Sequence, residues 1–241
     1  MKYSHMLYNL TLVTFLFSFL TSCSQTEEIR SEQIENATIN EETITYLALG
    51  DSYTVGESVA FEDSFPAQLS TEIEKTKNRV VNTTVIAQTG WRTDQLIASI
   101  GNRESADYNL VTLLIGVNNQ FQSRPFSQYE AEFEILLNKA ISLAGNDSNK
   151  VIVLSIPDYY FTPYGQSNGN EQISIELDGY NNFAKSTAKA KGVTFLDITD
   201  ITRRGLDEKE LVANDGLHPS ALTYQKFVER LYPLVSTRLK D

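Results

Sequence analysis

The sequence predicts a three-layer α/β/α domain built on a five-stranded parallel sheet. Five short runs rich in Val, Ile, Leu and Thr recur along the chain. Several are continuously apolar, as strands buried on both faces of a sheet are. Helix-length stretches separate them, the order that parallel βαβ crossovers require. Neither an internal repeat nor a second folded domain interrupts the pattern.

The chain begins MKYSHMLYNLTLVTFLFSFLTSC, with Lys2 near its start and an apolar run from about Leu10 to Leu20. Small or hydroxylated residues and Cys23 follow, which is the layout of a secretory signal. The run is too short for the roughly 20 apolar residues of a spanning helix. Leu20-Thr21-Ser22-Cys23 resembles the bacterial lipobox, which implies cleavage before Cys23 and lipidation of it. Residues 1–22 are therefore expected to be a lipoprotein signal peptide. Ser24 to Glu42 is polar and acidic with no aromatic residue, so it cannot bury enough surface to fold. Residues 23–43 are expected to form a flexible tether, and 44–241 the folded domain. The lipobox resemblance implies a place in the bacterial cell envelope, lipid-anchored at the outer membrane and facing either the periplasm or the surface.

Within the domain, strands are expected at 45–50 (TYLALG), 80–87 (VVNTTVIA), 110–117 (LVTLLIGV), 151–156 (VIVLSI) and 193–198 (VTFLDI). Helices are expected at about 64–76, 92–100, 127–144, 171–191 and from 219 to about 238. In 127–144, Tyr129, Phe133, Ile135, Leu136 and Ile141 recur at helical spacing. Ser220, after Pro219, marks the start of the last helix.

Composition excludes several chemistries. Acidic residues outnumber basic ones 31 to 20, a net charge of −11, so no cationic surplus exists to displace the counterions of a nucleic-acid backbone. The lone cysteine cannot form an internal disulfide or a Cys/Cys/His zinc site. Of the two histidines, His5 falls in the signal, leaving His218 alone in the mature chain. No metal and no cofactor is expected, and the protein is expected to be a monomer.

Ligands of open parallel sheets bind outside the carboxyl ends of the strands. The residues following the expected strands are Gly50-Asp51-Ser52, Thr89-Gly90-Trp91, Gly116-Val117-Asn118-Asn119, Pro157-Asp158-Tyr159-Tyr160 and, further on, Asn214-Asp215-Gly216-Leu217-His218-Pro219. This set supplies what an acyl transfer needs. Ser52 is the candidate nucleophile, on a tight turn expected to expose its hydroxyl. His218, the only mature residue titrating near neutrality, is the candidate base. Asp215 could hold its other ring nitrogen. The N–H groups of Ser52 and Gly90, with the Asn118 amide, are candidate oxyanion donors.

Gly50-Asp51-Ser52, Gly90, Gly116-x-Asn118 and Asp215-x-x-His218-Pro219 resemble the four blocks of the SGNH hydrolases, the GDSL lipase/esterase superfamily. The resemblance covers about residues 44–238. It implies a flavodoxin-like fold, serine-dependent ester hydrolysis through Ser52, His218 and Asp215, an oxyanion hole of Ser52, Gly90 and Asn118, and no cofactor. The substrate it implies is an acylated small molecule, a lipid or an acetylated glycan. One position departs: the third block usually reads Gly-x-Asn-Asp, and Asn119 replaces the acid that supports its loop.

Plainer roles exist for each residue. Ser52 could cap a helix, His218 could be a loop histidine, Asn118 could end a strand, and Gly90 could serve only its turn. Asp51 reads as a structural hydrogen-bonder. Asp158, Tyr159, Tyr160, Phe161, Tyr164 and Trp91 could shape a pocket or pack a core. Asp197 and Asp200 are rival acids without the Asp-x-x-His spacing, and Arg203 and Arg204 are expected on a solvated turn. Among functions, a short-chain acyl esterase leads. A carbohydrate O-deacetylase or lysophospholipase would use the same residues, and a non-catalytic surface binding lipoprotein would be of another class.

Overall fold

The computed structural model of the protein describes residues 43–103 and 106–239. The expected signal peptide, Cys23 and all but the last residue of the expected tether lie outside the described residues. The five expected strands form one parallel sheet: β1 (Ile44–Gly50), β2 (Val81–Ala87), β3 (Leu110–Leu114), β4 (Val151–Leu154) and β5 (Thr194–Leu196), in the order β2-β1-β3-β4-β5. β3 and β4 are buried at every residue and β1 almost so. The edge strand β2 carries Asn82, Thr83 and Thr84 and is mostly half-exposed. Tyr46 and Thr112 share a buried hydrogen bond of 2.8 Å between β1 and β3, so neither hydroxyl enters the core unpaired.

Three strands end earlier than their apolar runs. β3 stops at Leu114 because Gly116, with φ +128°, turns the chain into a short helix at Val117–Phe121. β4 stops at Leu154, although Ser155 N–H still donates to the Leu196 carbonyl at 2.9 Å. Past β5, the Asp197 carboxylate accepts the Thr199 N–H at 3.0 Å and folds the chain into a turn.

The helices are α1 (Ser52–Val55), α2 (Phe65–Lys77), α3 (Thr93–Ile100), α4 (Val117–Phe121), α5 (Phe126–Leu143), α6 (Pro163–Asn168), α7 (Gln172–Ala190), α8 (Thr199–Thr202) and α9 (Ala221–Ser236). The five longer ones, α2, α3, α5 and α7 between strands and α9 after the last strand, match the expected helices. Helix α9 starts where expected, with the Ser220 hydroxyl accepting the Thr223 N–H. Because β2 and β3 flank β1, right-handed crossovers place α2 on one face and α3, α5 and α7 on the other. Consistent with this, α2 packs against α9, and α5 against α3 and α7. Tyr129 and Phe133 of α5 interlock with Tyr180 and Phe183 of α7, Tyr129 and Tyr180 having centroids 4.4 Å apart. Leu137, Ala140 and Leu143 extend that buried stripe. Ile135 departs from expectation: two residues past Phe133, it points away from the stripe and is exposed.

The turn after β1 is tightly constrained. A Cβ on Gly50 would lie 2.1 Å from Thr54 Oγ1 and 2.4 Å from the Leu114 carbonyl oxygen, so only glycine fits. Asp51 then caps α1, its Oδ1 accepting the Tyr53 N–H at 3.1 Å, which bears out its structural role. The carboxyl is completely buried, and its Oδ2 has no hydrogen-bond partner among the described residues. Burial pushes its pKa up to about 7, and the N–H groups of Tyr53, Asp51 and Gly116 oppose that shift only in part.

An acid titrating near 7 when folded, against 3.8 ordinarily, keeps its proton in the folded state while the unfolded chain releases it. Asp51 should therefore subtract stability as pH rises from about 4 to 7, by on the order of 4 kcal/mol at most. Asp51→Asn keeps the cap and removes the ionisation. In urea unfolding, its stability relative to wild type should grow between pH 4.5 and 8, and parallel pH curves would refute the assignment.

Candidate active site

The strand ends bring the expected residues to one edge. In register, Gly50 at the end of β1 pairs with Ala87 on β2 and with Leu114 on β3. Ser52, Gly90 and Asn118 follow these three residues by two, three and four positions. Because β1 lies between β2 and β3, this is the topological switch point of the sheet, where ligand crevices of open α/β folds form.

Ser52 opens α1, which ends after four residues at Gly56 in the left-handed region. The residue as a whole is only 4% exposed. Its N–H makes no hydrogen bond among the described residues. Gly90 has φ +83° and open space where a Cβ would stand. Its N–H is likewise uncommitted among the described residues. The Asn118 Nδ2 donates to the Trp91 carbonyl at 3.0 Å. That bond uses one of its two protons and fixes the amide, leaving the other proton available.

Asn119 is completely buried and supports the loop in a different way from an aspartate. Its Oδ1 accepts the Thr93 N–H at 3.1 Å and its Nδ2 donates to Thr93 Oγ1 at 2.7 Å. The Thr93 hydroxyl in turn donates to the Glu132 carboxylate. An acid at 119 would take the threonine proton itself and set a second carboxylate beside Glu132. The asparagine therefore ties α4 to the start of α3, behind Trp91, without adding charge.

The segment between β5 and α9 carries the candidate acid and base, Asp215 and His218. It is closed by an antiparallel bridge of Val212 with Pro219 and by the Ala213 N–H on the His218 carbonyl at 2.8 Å. Gly216, with φ +73°, makes the turn, and its carbonyl accepts the Tyr164 N–H at 2.9 Å. Asp215 Oδ1 accepts the N–H groups of Leu217 at 2.9 Å and His218 at 3.0 Å. Its Oδ2 meets His218 Nδ1 at 2.5 Å and accepts the Ser58 hydroxyl at 2.6 Å. Partial burial pushes the Asp215 pKa up. The hydrogen bonds of the His218 ring, Ser58 and the two N–H groups outweigh burial and hold it well below the carboxylate range. It is therefore ionised at neutral pH.

The His218 side chain is 12% exposed, and its ring meets Tyr53, the residue after Ser52, edge-on at 5.9 Å. No hydrogen bond joins Ser52 Oγ to the ring among the described residues. Such contacts often tighten only when substrate is bound.

The other candidates sort themselves by their partners. Asp200 is paired with Arg230, at 2.5 and 3.0 Å, and Asp197 Oδ1 accepts the Ser155 hydroxyl at 3.1 Å, so neither serves His218. Arg204 lies on the surface with Glu208, but Arg203 corrects the solvated-turn expectation. Its Nε donates to the fully buried Asp158 at 2.9 Å and its second arm to Asp178 at 2.7 Å. It neutralises a carboxylate that caps the Tyr159–Phe161 turn. Tyr159 is buried and its hydroxyl donates to Gln120 at 2.9 Å. Trp91 is half-buried against the core. Sequence reasoning missed Ser58 and Glu57, whose carboxylate accepts the Thr89 hydroxyl. Among the described residues, no group of three or more His, Cys, Asp or Glu side chains could hold a metal ion.

Comparison with known proteins identifies the fold and the family. Residues 48–226 match the GDSL-like Lipase/Acylhydrolase family. The chain is 24% identical, over 213 residues, to the spore germination lipase LipC of Bacillus licheniformis, covering 78% of this chain and 95% of that one. The lipase/acylhydrolase of Enterococcus faecalis superposes with a TM-score of 0.62 at 18% identity, over 82% of this chain and 97% of its own. Axe2, an acetylxylan esterase of Geobacillus stearothermophilus, gives 0.62 at 18% identity, over 80% and 94%. These folds share the three-layer architecture. With the family match spanning most of the chain, and the sheet edge built as described, the protein belongs to the GDSL-like lipase/acylhydrolase family and is an ester-hydrolysing enzyme.

Proposed function

We propose that the protein hydrolyses carboxylic esters with Ser52 as nucleophile, His218 as general base and acid, and Asp215 as the group that orients and charges the imidazole. The observation that carries this reading is the Asp215–His218 pair at 2.5 Å, its ring beside the turn that holds Ser52. With Nδ1–H held by Asp215, the other ring nitrogen is free to take the Ser52 proton. The Ser52 oxygen attacks the ester carbonyl, and the N–H groups of Ser52 and Gly90 and the free Asn118 amide proton receive the oxyanion. The imidazolium returns its proton to the departing alcohol. Water, deprotonated by His218, then cleaves the acyl-enzyme and regenerates the serine. The recess lined by Tyr53, Tyr159, Leu217 and His218 holds only about 10 Å³, which favours a small acyl group such as acetyl.

A second reading, glycan O-deacetylation, is favoured by a cleft of about 710 Å³ beside this edge. Phe121, Phe126 and Ile175, three exposed large apolar residues, line it together with Gln120, Gln172 and Glu176. Tyr159 lines both this cleft and the recess containing Tyr53 and His218. Aromatic faces mixed with amides and a carboxylate suit a sugar ring better than a long acyl chain. The Axe2 neighbour is itself an acetylxylan esterase. The location we propose is the cell envelope, through a lipid on Cys23.

Hydrolysis of p-nitrophenyl acetate, butyrate and octanoate should be fastest for acetate. Ser52→Ala should abolish it, and Asp215→Asn should lower kcat by on the order of 10³–10⁴-fold with the fold intact. Wild-type rates in Ser52→Ala would refute the nucleophile. Faster release of acetate from acetylated oligosaccharides than from p-nitrophenyl acetate would establish the glycan reading. Cys23→Ser should move the full-length protein from the membrane fraction to the soluble one, and unchanged partitioning would refute the anchor.

A further inference from the structure

Ser58 lies six residues beyond Ser52, on the loop that leaves α1, and belongs to none of the sequence blocks that identify the family. Its φ is +69°, a conformation that serine adopts at an energetic cost. The strain sets its hydroxyl 2.6 Å from Asp215 Oδ2, the same oxygen that meets His218 Nδ1. The neighbouring Glu57 reaches the opposite way, its carboxylate accepting the Thr89 hydroxyl next to Gly90. One short loop thus grips the His218 loop on one side and the Gly90 turn on the other. Its own position is fixed to the nucleophile, because the Gly56 and Glu57 N–H groups both donate to the Ser52 carbonyl at 3.0 Å.

We infer that Ser58 is a positioning residue for the hydrolytic reaction, locking the Asp215 carboxylate in register with the Ser52 turn through its hydroxyl. The inference rests on the roles proposed above for Ser52, His218 and Asp215. The carboxylate has two oxygens to place. Backbone N–H groups hold Oδ1 within its own loop, and Ser58 is the only side chain from outside that loop, among the described residues, that bonds Oδ2. By donating to Oδ2, Ser58 also draws off part of the negative charge offered to the imidazole. Removing the hydroxyl strengthens the carboxylate as an acceptor, favours the imidazolium, and moves the acid limb of the pH profile upward. The titratable groups nearest the pair are Tyr53 against the ring, Tyr159 and Asp158 in the same recess, and Tyr224, which interacts with Asp215 and in turn with Asp51 and Glu57. The substitutions below leave them in place.

Two variants separate positioning from folding. Ser58→Gly deletes the hydroxyl and relieves the left-handed backbone, while Ser58→Ala deletes it and keeps the strain. Both are compared with wild type and Ser52→Ala by thermal unfolding and by kcat and KM for p-nitrophenyl acetate from pH 5 to 9. The expected result is a kcat lowered roughly 10- to 100-fold in both, from loss of a hydrogen bond to a charged group. KM should stay near wild type and the acid limb of kcat/KM should move to higher pH. The defect should be equal in the two variants although only the glycine variant keeps full stability. Wild-type kcat and acid limb in Ser58→Gly, in an enzyme that Ser52→Ala inactivates, would overturn the positioning role alone. A defect confined to Ser58→Ala and tracking its stability would overturn it as well. Activity that survives Ser52→Ala would instead overturn the nucleophile assignment on which it rests.

Discussion

The level ends of three neighbouring strands are the constraint on which the site depends. β1 pairs with β2 on one side and β3 on the other, and Gly50 lies opposite both Ala87 and Leu114. Backbone hydrogen bonding fixes that register, and a one-residue slip would turn every buried side chain of β1 to the other face. With the register set, the next few residues of each strand must emerge side by side. Glycines then steer them. Gly50 admits the close approach of Thr54 and the Leu114 carbonyl, and Gly116 occupies a space where a Cβ would lie 2.5 Å from Tyr129. The N–H groups of Ser52 and Gly90, which a helix or sheet would otherwise use, make no hydrogen bond among the described residues.

Two carboxylates at this edge are treated in opposite ways. Asp215 is partly exposed and accepts four hydrogen bonds, so it keeps its charge across the working range of a histidine base. Asp51, one residue before Ser52, is fully buried with one oxygen unpartnered among the described residues, and its ionisation is held back to about pH 7. One acid is held charged by its hydrogen bonds, and the ionisation of the other, in the turn that carries Ser52, is delayed to near neutrality by burial. A charged group at Asp51 would oppose the negative charge that develops on an ester carbonyl attacked by Ser52.

Much of this was legible in the sequence because it depends on local periodicity. The apolar runs located all five strands, and the long helices followed from their spacing and from Ser220. Short helices such as α1 and α4 were not visible, because four or five residues cannot display a 3.6-residue period. The triad candidates could be read because Asp215 and His218 are three residues apart and His218 has no rival in the mature chain. Ser58 could not, since its partner lies 157 residues away and its left-handed backbone has no residue signature. Arg203 was misread for the same reason: its buried partner Asp158 comes from a different strand end, 45 residues earlier. At Asn119 the sequence showed the departure from the family pattern but not its remedy, the relay through Thr93 to Glu132.

The central claim, that Ser52 is a nucleophile activated by the His218–Asp215 pair, is tested most directly by covalent labelling. Wild-type protein, and the same protein with His218→Ala, would be treated with a fluorophosphonate and mapped by peptide mass spectrometry. The account predicts a single stoichiometric adduct on the peptide containing Ser52 in the wild type, and labelling slowed by orders of magnitude without the imidazole. A folded protein that takes no label, or that is labelled on another serine, would contradict it.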